Sequence, residues 1–79
     1  MTTAEMADLA GTYSQSTRTM SIVQREGRLF LARSNQETAL EKVGANRFRA
    51  GDSRLVTVTD AAGKVEYIYT GGRSWRKVS

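Results

Sequence analysis

Serine, lysine and the carboxylates are the residue types here that could do chemistry, because the chain contains no histidine and no cysteine. The usual general base near neutral pH, the commonest zinc ligand and the thiolate nucleophile are therefore all missing. Ser74-Trp75-Arg76-Lys77 has the spacing of a Ser-x-x-Lys nucleophile, in which a lysine one helical turn on takes the serine hydroxyl proton. That geometry needs a helix beginning at the serine. Here the match falls in a strand-like run close to the end of the sequence, with no Ser-Asp-Asn, Tyr-x-Asn or Lys-Thr-Gly segment beside it, so chance explains it. Glu26, Asp52 and Asp60 all sit among turn residues, where local backbone hydrogen bonds account for a carboxylate. The glycines lack the strand-to-helix setting of a phosphate loop. No catalytic residue, metal site or cofactor is expected.

Binding is the remaining option. Phe30, Phe48, Tyr67, Tyr69 and Trp75 interleave with Arg28, Arg47, Arg49, Arg73 and Arg76, a mixture that can stack bases and neutralise phosphates. Twelve Lys+Arg against eight Asp+Glu give a net charge of +4 and a pI near 10.0, which favours acidic partners. Against this, so short a chain needs most of its aromatics for a core. Trp75 is the expected exception, its ring partly exposed at a seam. The residues expected to meet a partner are Trp75, Phe30, Val23, Arg73 and Arg76, and a small basic nucleic-acid-binding β-module is the alternative function.

The elements that would position these residues are short strands. Arg54 to Thr70 places two β-branched and aromatic runs around Asp60-Ala61-Ala62-Gly63, a hairpin in which Asp60 accepts backbone hydrogen bonds and Gly63 takes positive φ. A four-residue loop pairs Val58 with Val65 and Val56 with Tyr67; a three-residue loop sets Val56 across from Ile68 and Val58 across from Glu66. The first is expected because it keeps Glu66 away from an inward valine. Arg18 to Ser34 forms another hairpin about Glu26-Gly27, with Ile22 opposite Leu31, Gln24 opposite Leu29, Met20 opposite Arg33, and Val23 with Phe30 on the other face. Ser34 and Glu37 have capping-box spacing and 38–43 could continue as a short helix, yet a strand with Leu40 inward is the preferred reading. Arg47-Phe48-Arg49-Ala50 alternates plainly. Gly71-Gly72 makes the last turn, and 73–78 the closing strand.

Before these strands, residues 1–10 read as a short helix, capped by Thr2 or Thr3 and stopped by Gly11. Met6 and Leu9 share a face, and so short a helix exists only if they dock on something apolar. The open end of a barrel would serve. The expectation is thus one all-β domain over 1–79: a small antiparallel up-and-down meander (11–79) of about eight strands, closing into a barrel with a filled interior. No stretch is apolar enough for a membrane span, and no export signal is visible. A place outside the cytoplasm would require a signal on a longer precursor.

With those residues in view, the chain resembles the small C-terminal lipocalin-like β-domain that follows the catalytic domain of many serine hydrolases of the β-lactamase and penicillin-binding-protein type. The residues that carry the resemblance are Leu9-Ala10-Gly11-Thr12-Tyr13, Glu26-Gly27-Arg28-Leu29-Phe30-Leu31, the spacing from Leu40 to Phe48, and Val58-Thr59-Asp60-Ala61-Ala62-Gly63-Lys64-Val65. It implies a non-catalytic accessory domain that shapes substrate access or assembly of a hydrolase, whose catalytic domain is the partner in the same chain or a complex. It also implies a periplasmic or extracellular location. No catalytic residue carries over.

Overall fold

The computed structural model describes residues 2–78, so the outer limits of the expected 1–79 domain lie outside the described residues. Helix α1 (Thr3–Leu9) leads into eight strands: β1 (Gly11–Gln15), β2 (Arg18–Arg25), β3 (Arg28–Arg33), β4 (Gln36–Gly44), β5 (Arg47–Ala50), β6 (Ser53–Thr59), β7 (Val65–Thr70) and β8 (Arg73–Lys77). Each strand pairs antiparallel with the next, and β1 closes on β8 through Tyr13–Lys77 and Ser14–Arg76. The fold is the expected closed meander. Closure leaves no bare edge among these strands.

Turn chemistry explains the short connections. Glu26-Gly27 and Gly71-Gly72 have positive φ at both central positions, the turn whose twist matches a two-residue hairpin. Ser34-Asn35 does the same with two non-glycine residues, at φ 45 and 68. The strand reading of 38–43 therefore holds, and β4 begins earlier, at Gln36, because the capping-box pair is spent on a turn and a strand.

The β2–β3 ladder has the expected register, with Ile22 opposite Leu31, Gln24 opposite Leu29 and Val23 opposite Phe30; its last bridge is Ser21–Ala32, one step short of Met20 and Arg33. The β6–β7 hairpin does not. Val56 pairs with Tyr69 and Val58 with Tyr67, and the ladder shifts before Thr59–Val65. Asp60 is the cause. Its carboxylate accepts from the amides of Ala62 and Lys64, its own amide donates to the Lys64 carbonyl, and Gly63 N donates to its carbonyl. The loop thus extends to Lys64, and the irregularity beside Glu66 absorbs the extra residue. The faces of β6 follow from its other neighbour: Phe48 opposite Leu55 drives Leu55 and Thr57 inward and leaves Val56 and Val58 outside.

Inward pairs fill the barrel: Tyr13 with Met20, Ile22 with Leu31, Leu40 with Ala50, Phe48 with Leu55 and Ile68 with Trp75. The α1 helix plugs one end. Met6 and Leu9 are its buried residues, and covering each contributes about 2 kcal/mol. Thr2 caps the helix by accepting from Glu5 N at 3.1 Å. The stop comes at Ala10, whose N–H bonds to Met6 O before the backbone extends, and Gly11 already belongs to β1. Further ties hold the plug in place: Tyr13 Oη donates to Leu9 O at 2.7 Å, Val65 N donates to the Asp8 carboxylate, and Lys77 Nζ donates to Asp8 O. Glu5 pairs with Lys42, chiefly through a hydrogen bond that holds the Glu5 carboxyl below its ordinary range.

Candidate functional site

A strand alternates its side chains, so the expected partner residues are dispersed rather than gathered. Trp75 faces inward opposite Ile68 and is 5% exposed, which corrects the expectation of a ring partly open at a seam. The physical reason is size: a barrel of short strands needs its largest side chain inside. Val23 and Phe30 lie on the outer face of β2–β3, half-buried, with the Arg28 guanidinium 6.0 Å from the Phe30 ring. Beside them Arg25 and Glu37 form a two-pronged pair at 2.7 Å, so this face is covered by its own side chains. Arg73 is in phase with Trp75 at the rim away from α1, and Arg76 lies on the outer face of β8 beside Tyr67.

The Ser-x-x-Lys match dissolves in the same way. On a strand an offset of three puts Ser74 and Lys77 on opposite faces, with Ser74 exposed and Lys77 engaged on the Asp8 carbonyl. Among the described residues, no group of three His, Cys, Asp or Glu side chains converges, and no helix is long and apolar enough to cross a membrane.

A different outer face stands open. Across β5 to β8 one row runs Arg47, Val56, Tyr69, Ser74, and the next runs Val58, Tyr67, Arg76, reaching Ser14 on β1. Val56 is 39% exposed, Val58 47% and Tyr69 48%, well above what packed strand residues leave to water. Arg49 faces Arg54 at one margin, and a shallow groove between Val43, Arg47, Arg54 and Val56 continues the surface. Among the described residues, Arg47, Arg54 and Arg76 make no ion pair, while Arg49 is bridged to Glu41 at 3.1 Å. Apolar and aromatic groups thus mix with unneutralised arginine, the composition of the energetic centre of protein interfaces.

Of the five expected partner residues only Arg76 lies on this face, joined by Tyr67, Tyr69, Arg47 and Arg49 from the arginine and aromatic mixture. The expected inward valine of β6 is corrected, since both Val56 and Val58 face water, and the sequence pattern gives Arg54 no role. A signal was present: with Phe48 inward, the tight Gly51-Asp52 turn puts Leu55 directly across from it, which sends both valines outward. The chain matches no protein-family model, and no curated protein matches it.

Proposed function

We propose that the chain is a non-catalytic accessory module of a serine hydrolase of the β-lactamase and penicillin-binding-protein type, held against its partner by the outer face of β5–β8. The observation that carries the reading is this surface of exposed Tyr69, Val56 and Val58 and half-buried Tyr67, with Arg47, Arg54 and Arg76 around it. The motifs of the resemblance support it, since they build the Glu26-Gly27 hairpin, the Asp60 loop and the entry to β1. The location outside the cytoplasm belongs to the same proposal.

The test has two parts. The coding sequence, read in its genome, is expected to continue into, or stand beside, a segment with a helical Ser-x-x-Lys; a gene far from any hydrolase removes the reading. The purified chain is expected to leave a p-nitrophenyl ester intact, and Ser74→Ala to change nothing. Ester hydrolysis lost in Ser74→Ala would refute the non-catalytic role.

A second reading rests on two tyrosines projecting from one strand among unpaired arginines, which also suits stacked bases. Titration with single-stranded oligonucleotide at two salt concentrations separates the readings, because phosphate neutralisation makes affinity fall steeply with salt. Absence of binding at low salt eliminates the nucleic-acid reading.

A further inference from the structure

The two ends of the barrel differ in chemistry. The end plugged by α1 carries Glu5, Asp8, Glu26 and Asp60 on its helix and turns. At the opposite end the inward-facing phase of three strands terminates in arginine. Arg18 is in phase with Met20 and Ile22 on β2, Arg33 with Leu29 and Leu31 on β3, and Arg73 with Trp75 on β8. All three are exposed, and among the described residues none pairs with a carboxylate. The Arg73 guanidinium donates to Gln15 Oε1 at 3.4 Å. Asp52, in the β5–β6 turn at this end, bonds to none of them, and Glu37 is engaged with Arg25 on the outer wall.

Just inside this rim sits a second anomaly. Trp75 is 5% exposed, and its Nε1–H is buried with no acceptor. A buried donor left unmade is unfavourable, and native structures keep few of them. The Arg33 guanidinium lies 6.0 Å from the indole centroid, and beside Arg33 the rim opens into a hollow lined by Leu31, Gln36, Thr38 and Ser53. Arg33 thus sets a cationic donor beside an indole whose buried N–H has no acceptor, with Arg18 and Arg73 in the same inward phase on the same rim.

We infer that the open end of the barrel binds the oxyanion of a small organic anion, a carboxylate or a phosphate ester. Arg33 and Arg73 hold the oxyanion by charge-assisted hydrogen bonds, and Arg18 adds positive potential. The exposed Arg33 side chain swings off the indole to follow its anion, and an oxyanion oxygen takes the Nε1–H that lacks a partner. This site is separate from the β5–β8 outer face and does not depend on what that face docks against.

Trp75 is the single tryptophan of the chain, so its fluorescence and its indole N–H proton resonance both read the site. The chain is titrated with inorganic phosphate, acetate and chloride at matched ionic strength. A saturable fluorescence change with a downfield shift of the indole proton is expected for phosphate, acetate or both, and not for chloride; the anion that saturates identifies the ligand class. Arg33→Gln and Arg73→Gln should each weaken binding about tenfold, the loss of one charge-assisted bond. Lys64→Gln, an equal charge change at the far end, should stay within about twofold because salt screens it. A response that follows ionic strength alone, a stationary indole proton, or a Lys64→Gln loss equal to that of Arg33→Gln overturns the inference.

Discussion

Tyr13 ties the plug to the barrel wall through one hydroxyl. Its ring is fully buried, and the hydroxyl donates to Leu9 O at the end of α1. Tyr13→Phe keeps the ring and removes that donor, so urea denaturation should show a loss of about 1 kcal/mol. Burial first, and then the negative charge of Asp8, push the Tyr13 hydroxyl well above the ordinary tyrosine value of 10.0. The folded state then holds a proton that the unfolded chain releases. Its contribution is complete below the ordinary value and drains as pH rises from there toward the folded-state value. Thermal melts from about pH 9 to about pH 11.5 should fall more steeply for the wild type than for Tyr13→Phe. Parallel curves would show that the hydroxyl is solvated.

Among the elements, β6 offers the sharpest contrast, because neighbouring positions face opposite environments. Leu55→Thr puts a hydroxyl into the core and should cost about 3 kcal/mol, whereas Val58→Thr should shift stability by less than about 0.5 kcal/mol. Equal costs in urea would contradict the register. The Asp60 loop makes a second claim: Gly63 has φ +81 and open space around its missing Cβ, so Gly63→Ala should cost about 1 kcal/mol from backbone conformation alone. Helix α1 is too short to persist in water by itself. Asp8→Ala leaves the Val65 amide without its carboxylate and should cost about 1–2 kcal/mol, read by loss of amide protection in α1.

For the whole molecule, closure is the feature most exposed to test. The β1–β8 seam rests on two bridged pairs and on Val78 N donating to Thr12 O at 2.8 Å. Truncation after Gly72 deletes β8, removes Trp75 from the core and leaves both β1 and β7 with open edges. Loss of a buried tryptophan alone costs about 3–5 kcal/mol, comparable with the entire stability of a small domain. The truncated chain should therefore be unfolded or associated by light scattering, and a monomeric folded product would show that closure is dispensable. Closure also places Arg18, Arg33 and Arg73 together on the rim away from α1.

Alternation, turn chemistry and the shortage of residues with nucleophilic or metal-binding chemistry are local properties, so the linear sequence was enough to determine the strand count, the Glu26-Gly27 and Gly71-Gly72 turns, the β2–β3 register and the docked helix. The Asp60 carboxylate reaching Lys64 N lengthened a loop whose composition fits several lengths, and so set the β6–β7 register only in three dimensions. Which face of β6 turns inward depended on Phe48 across the next ladder, and Trp75 entered the core because the closed barrel had to be filled. The arginine rim exists only because closure sets β8 beside β1, whereas the outer face of β5–β8 is built by consecutive hairpins and waited only on their register. Pattern along a chain assigns a side chain to one of two faces; the neighbouring strand decides which of the two meets water.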